Sequence, residues 1–349
     1  MKKIRVAIIG ASGYTGVELI RLLTNHPYVQ ICQLIGNSNI DLEPRHLFNH
    51  LYNFNLPKLK KIEQIDFTEI DVVFGCLPHN VSQEIFKKIL SDENNQHLKI
   101  IDLSADFRFE NHHDYFQWYN HQHLALELQK KAVYGLSEIN RDKIRKAQII
   151  ACPGCYPTSA LLPLIPLLKN KLIENDNIII DAKSGASGAG RNVKTSNLFC
   201  EVNNSFKAYN IGNHRHIGEI QQELSKANGN EVKVDFTPHL LPINRGIIST
   251  IYTKLNSNIT IQDIKNCLLT SYEDEYFIKI VDHEISLSDV VGTNFCLLAV
   301  NSGNNKNSVI ITSAIDNLCK GASGQAVQNM NIIFDCDEKL GLENTPIFP

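Results

Sequence analysis

The sequence predicts an α/β chain of two domains, an N-terminal Rossmann-type dinucleotide-binding domain followed by an α+β domain. Three observations carry this. An apolar run, Ile4–Ile9, ends at a glycine-rich turn. Apolar runs then alternate with helical stretches across the first 150 residues, and after Cys155 the texture changes to strand-like segments with fewer helices.

Taken in order, Ile4–Ile9 reads as a strand stopped by Gly10, and Val17–Leu23 places apolar residues at helical spacing, giving strand, turn, helix. Val29–Ile35 supplies the next strand, and Asp71–Cys76 and Ile100–Leu103 continue an alternation that builds a parallel sheet covered by helices. Beyond Cys155, a helix at Ser159–Leu168 precedes strands at Asn177–Ala182, Val232–Thr237, Gly246–Thr253 and Phe295–Val300, a pattern that suits antiparallel pairing. Gly324–Ile333 reads as an amphipathic helix, and the tail beyond it as surface. The domains are therefore expected at 1–154 and 155–316.

A chain of 349 residues commonly divides in two. With 43% hydrophobic residues, 20% charged residues and a net charge of −3, it is expected to be globular and to bind neither nucleic acid nor membrane. No segment approaches the ~20 apolar residues of a membrane span. The nine cysteines are an odd set without the dense spacing of a secreted scaffold, so reduced thiols in a cytoplasm are expected.

Gly10-Ala11-Ser12-Gly13-Tyr14-Thr15-Gly16 spaces its glycines so that backbone N–H groups and a helix N-terminus meet a phosphate. Gly-Ala-Ser-Gly recurs at 185–188 and 321–324, but only the first copy lies between a strand and a periodic helix. An NAD site of this kind carries an acid after the second strand. Here the strand runs into Gly36-Asn37-Ser38, where Asn37 or Ser38, with Arg45 beyond, suits a 2′-phosphate and favours NADP(H).

Cys152-Pro153-Gly154-Cys155-Tyr156-Pro157-Thr158 precedes the leucine-rich helix, placing Cys155 at a helix start that favours a thiolate. The Cys152–Cys155 spacing also admits a redox pair or half of a zinc site, although no second such pair completes a metal centre, so no metal is expected. A thiol nucleophile needs a proton carrier, and His214-Arg215-His216 offers two imidazoles in a polar cluster, Gly212 to Ile220, immediately before a helix. The pairs His112-His113 and His121-His123 read as surface histidines. Ser104 and Arg108, Ser184 and Gly185 ahead of Arg191, and Arg245 in Asn244-Arg245-Gly246 are candidates to hold anionic substrate groups, though each arginine could equally be half of a salt bridge.

Together these segments resemble N-acetyl-gamma-glutamyl-phosphate reductases of arginine biosynthesis, relatives of aspartate-semialdehyde dehydrogenases. The resemblance spans nearly the whole chain and adds Tyr134-Gly135-Leu136, Pro242–Gly246 and Asp316–Gly321 to the motifs above. It implies NADPH on the first domain, with Asn317 among the cofactor residues, and Cys155 as nucleophile beside His214 and His216. It also implies a substrate and dimerisation role for the second domain, a homodimer or homotetramer, and a final segment, 317–349, that rejoins the first domain. The family often places an Arg between serines after the second strand, where this chain has Asn37 before Ser38, which bears on NADP affinity. The competing readings are an aspartate-semialdehyde dehydrogenase and a non-catalytic NADP-binding redox sensor using Cys152 and Cys155.

Overall fold

The first apolar run forms β1 (Ile4–Ile9), almost wholly buried, and the glycine turn leads into α1 (Tyr14–Leu23), whose Leu19, Ile20, Leu22 and Leu23 are buried. In the computed structural model, which describes residues 3–305 and 307–347, the chain divides into two units. One comprises Met1–Pro153 and Ala322–Glu343, the other Gly154–Gly321 and Asn344–Pro349.

In the first unit β2 (Val29–Ile35), β3 (Leu59–Lys60), β4 (Val72–Gly75), β5 (Lys99–Asp102), β6 (Ala132–Tyr134) and β7 (Ile149–Ala151) join β1. The sheet runs β3-β2-β1-β4-β5-β7-β6 with every pairing parallel. Its helices are α1, α2 (Ser82–Leu90), α3 (His112–Tyr119), α4 (Leu126–Gln129) and α5 (Ser137–Lys146). The strand order reverses between β1 and β4, the place where such sheets open a crevice beyond their carboxyl ends. The glycine turn lies at that end of β1.

The second unit begins with α6 (Cys155–Lys169), which starts four residues before the expected Ser159. There follow β8 (Ile178–Gly185), α7 (Phe199–Val202), β9 (Lys207–Ala208), α8 (His216–Asn228), β10 (Val234–Leu241), β11 (Ile247–Lys254), α9 (Ile261–Ser271), β12 (Ile278–Ile280), β13 (Cys296–Ser302) and β14 (Ser308–Ile315). The sheet order is β12-β13-β14-β11-β8-β10-β9. It is mixed rather than wholly antiparallel. β8 pairs parallel with β10, which the crossover through α7 and α8 allows, while β11 pairs antiparallel with both β8 and β14. Ile178, Ile180, Ala182, Ile247 and Ile251 are buried in this sheet, and α6 packs against α8, α9, β11 and β14.

The chain returns to the first unit through α10 (Gly324–Ile333). Before it, Cys319–Ser323 makes a π-helical turn closed by Gly321 N–H on the Asp316 carbonyl at 2.9 Å. Residues 317–321 cluster with the second unit, and Ile347 N–H bonds the Val291 carbonyl there. α10 is held by buried amides. Asn329 Nδ2 donates to the Gly135 carbonyl, Asn329 Oδ1 accepts from Ser137 Oγ, and Asn331 Oδ1 pairs with His26 Nε2, each at 2.9 Å.

Candidate active site

Cys155 is the first residue of α6, and Gly154, its extended N-cap, offers no side chain to the helix start. There is no acid in that first turn, so the positive end of the helix dipole acts on the sulfur. All nine cysteines are thiols, and Cys155 is half-buried. Gly321 backs Cys155. A Cβ at Gly321 would lie 2.7 Å from Cys155 Cβ and 3.2 Å from its Cα, so only glycine fits against this helix start.

The histidines stand at the start of α8. His214 and His216 are both buried while Arg215 between them is exposed, and the two imidazole centroids are 4.8 Å apart. A spacing of two that left their directions open thus brings both to one place. The Tyr156 ring, next to Cys155, packs edge-on against His214 at 5.7 Å and His216 at 5.9 Å. Tyr209 and Phe236 close the other sides of His214 at 5.7 and 5.4 Å. Burial first, and the Arg215 charge second, push the His214 pKa down to about 4. His216 N–H donates to His214 Nδ1 at 3.2 Å, which leaves the proton of neutral His214 on Nε2.

The Tyr156 and Tyr209 hydroxyls meet at 3.1 Å, and burial raises both pKa values, with the Cys155 charge acting on each as a further cause. Glu219, entirely buried on α8, accepts the Gly154 N–H at 2.8 Å. Sequence reasoning passed over Glu219, Tyr209 and Gly321. Glu219 was visible only as a member of the polar cluster from Gly212 to Ile220, Gly321 only as a glycine in a repeated turn and in the Asp316–Gly321 segment, and Tyr209 carried no signal.

In the first unit, Gly10 has φ +81° and a Cβ there would strike the Cys76 carbonyl oxygen at 2.1 Å. A Cβ at Gly16 would lie 2.5 Å from the Gly10 oxygen. These two glycines let α1 press its N-terminus onto the turn. Gly13 caps α1 without a side chain, Tyr14 is exposed, and Ser12 Oγ approaches Gly36. Thr15 bonds the Cys76 thiol with its side chain and accepts Ser323 Oγ at its carbonyl. Asn37 and Ser38 are exposed after β2, and Arg45 pairs with Glu43 at 2.6 Å. A helix start with no side-chain cap and the lack of an acid after β2 fit a dinucleotide with a 2′-phosphate.

The anion-binding candidates fall in both units. Ser104 and Arg108 lie in the first unit, and Ser184, Gly185 and Arg245 in the second. Arg108 is buried and donates to the Cys152 and Leu103 carbonyls at 2.7 and 3.0 Å. Ser104 Oγ donates to Asp102 at 2.5 Å. Arg245 is held two-pronged by buried Asp316, with Nε 2.9 Å from Oδ2 and Nη2 donating to Oδ1 at 3.1 Å. Asn317 accepts Gly246 N–H and donates to Ser187 Oγ within the second unit. Ser184 Oγ donates to the Gly185 carbonyl, and Gly185 lets the Asn244–Arg245 backbone approach, a Cβ there lying 2.7 Å from Arg245 N. His123 is a departure, being buried with Nε2 on the Asp106 carbonyl, while Cys152 is buried against Asn329 as a small apolar residue.

Among the described residues no helix is long and apolar enough to cross a membrane. A model of the semialdehyde dehydrogenase NAD binding domain matches residues 5–147, and one of the semialdehyde dehydrogenase dimerisation domain matches residues 155–317. An N-acetyl-gamma-glutamyl-phosphate reductase of Rhodospirillum rubrum is 49% identical, over 100% of this chain and 99% of that protein. A protein of that name from Ehrlichia canis is 47% identical over 99% of each, and a probable chloroplastic one from Arabidopsis thaliana 47% over 100% of this chain and 86% of that protein. In fold, the chain is similar to aspartate semialdehyde dehydrogenase II of Vibrio cholerae, with a TM-score of 0.71 at 17% identity over 96% of this chain and 99% of that one. It is likewise similar to the Candida albicans enzyme solved with NADP, with a TM-score of 0.70 at 16% identity over 95% and 99%. The chain therefore belongs to the semialdehyde dehydrogenase family, among its N-acetyl-gamma-glutamyl-phosphate reductases.

Proposed function

We propose that this chain reduces N-acetyl-gamma-glutamyl phosphate to N-acetylglutamate 5-semialdehyde and phosphate through a thioester on Cys155, using NADPH. The observation that carries the mechanism is a thiol at an uncapped helix start, packed through Tyr156 against two buried imidazoles. The Cys155 thiolate attacks the acyl carbon, the C–O bond to phosphate breaks, and the thioester remains. His216 takes the thiol proton and passes it to the departing phosphate oxygen. His214 suits that task poorly, since a pKa pushed down to about 4 makes it too weak a base to hold the thiol proton, and its Nε2–H serves as a fixed donor instead. NADPH, when bound, supplies the hydride that reduces the thioester carbonyl. The resulting alkoxide collapses, expels the sulfur as thiolate and leaves the aldehyde, and the thiolate regains a proton from solvent. Both tetrahedral anions gain from N–H donors at the start of α6.

The glycine turn from Gly10 to Gly16, with Ser38, is the reading for the cofactor phosphates. Ser184 and Arg245 act here as loop anchors near the substrate. A homodimer or homotetramer built through the second domain is supported by the description of its family model. The thiol state of all nine cysteines supports a reducing compartment such as the cytoplasm.

The test is the reverse reaction, with N-acetylglutamate semialdehyde, phosphate and NADP⁺, followed by absorbance of the reduced nicotinamide. Cys155→Ser is expected to abolish turnover and leave NADP(H) binding nearly unchanged. Wild-type turnover in that variant would refute the covalent route. Equal loss of a dinucleotide-dependent response in Cys152→Ser and Cys155→Ser, without turnover, would favour the redox sensor.

A further inference from the structure

A helix that begins with an active nucleophile faces two conflicting demands. Its first turn must be anchored, yet the N–H groups of that turn must stay available to the anion that forms there. Most helices are anchored by a capping box, in which the N-cap side chain takes the N3 amide and an acid at N3 takes the N-cap amide. In α6 both local halves are deleted. Gly154 at the N-cap has no side chain, and N3 is Pro157, which offers neither an acid nor an N–H.

The missing acid comes from another helix. Glu219 lies one turn into α8, which packs against α6, and its Oε1 takes the Gly154 N–H at 2.8 Å. Its neighbours Ile217 and Ile220 are buried apolar residues, as a helix face in a core should be. A fully buried carboxyl group among them costs stability unless well bonded, so core packing alone does not account for an acid at this position. Glu219 sits where the N-termini of α6 and α8 converge, and both dipoles favour its charge.

We propose that Glu219 is a positioning residue that completes the capping box of α6 from α8, fixing the start of the helix under Cys155 while leaving the first-turn donors to the reacting oxygen. This rests on the reductase reading above. Its test compares Glu219→Gln, which keeps an oxygen acceptor at the same reach, with Glu219→Asn, which has the same amide one methylene shorter. Both are neutral, so a difference between them reports reach rather than charge.

Two quantities are read in the full-length protein, kcat and KM in the reverse assay and hydrogen exchange of the Gly154 amide by mass spectrometry. Glu219→Gln is expected to keep kcat within 10-fold of wild type and to protect the Gly154 amide. Glu219→Asn is expected to lose about 100-fold in kcat, with KM changed less than about 3-fold, and to exchange Gly154 faster. Equal kcat in the two variants overturns the proposal, as does unchanged exchange at Gly154 in Glu219→Asn. A wild-type protein inert in the assay strikes the reductase reading instead, and the exchange comparison still decides whether Glu219 holds the helix start.

Discussion

Gly321 marks how little room surrounds the nucleophile. Because a Cβ there would lie 2.7 Å from Cys155 Cβ, Gly321→Ala must push α6 or the π-helical turn aside. The expected outcome is a loss of about 100-fold in kcat with NADP(H) affinity retained, measured by steady-state kinetics and dinucleotide titration. Wild-type kcat would show that the helix start shifts without consequence. Cys155, His214 and His216 were legible as candidates in the sequence because a thiol before a helix and clustered imidazoles are rare outside sites. Gly321 was not, because its copy of Gly-Ala-Ser-Gly looks like any turn until Cys155 is found against it. Arg108 and Arg245 bond buried carbonyls and Asp316, contacts that no local sequence pattern announces.

At the scale of elements, α6 runs through Pro163 and Pro166 without ending. Pro166 removes the N–H that would bond the Leu162 carbonyl, and the Tyr272 hydroxyl from the end of α9 replaces it. Periodicity recovers such a helix from Ser159 onward, and Pro157 stands in the first turn, where its missing N–H costs nothing. β14 went unread although its alternation is regular, whereas β3 and β6 are too short to show any pattern. The carboxyl end of β5 carries a second buried arrangement. Asp102 and Asp106 both accept from Ser82 Oγ, at 3.1 and 2.8 Å. Burial, then the Asp106 charge, raises the Asp102 pKa to about 7. The folded protein thus keeps a proton that the unfolded chain releases near pH 3.9, so this contribution is complete below about pH 4 and is lost as pH climbs to about 7. Asp102→Asn is expected to gain stability over wild type progressively from pH 4 to 7 and then level off. Thermal unfolding of both proteins across that range checks it, and a constant difference would mean that Asp102 is ionised throughout.

For the whole molecule, two domains and their classes were legible because the alternation of strands and helices differs so plainly between the halves. The mixed sheet was not, since parallel pairing of β8 with β10 depends on a crossover that no local pattern announces. The division also has an asymmetry. The second unit is almost one unbroken stretch, Gly154–Gly321, whereas the first is split around it and regains Ala322–Glu343 only near the end. On a ribosome, the second unit can therefore close while the first still waits for α10, whose Asn329 and Asn331 satisfy Gly135, Ser137 and His26. A chain stopped after Gly321 is expected to keep β8, β11 and β14 slow in hydrogen exchange while β1, β4 and β5 exchange quickly, which mass spectrometry of the truncated protein would read. Nascent molecules would then acquire an ordered thiol before they can hold a dinucleotide, and cofactor capture becomes the last event of their synthesis.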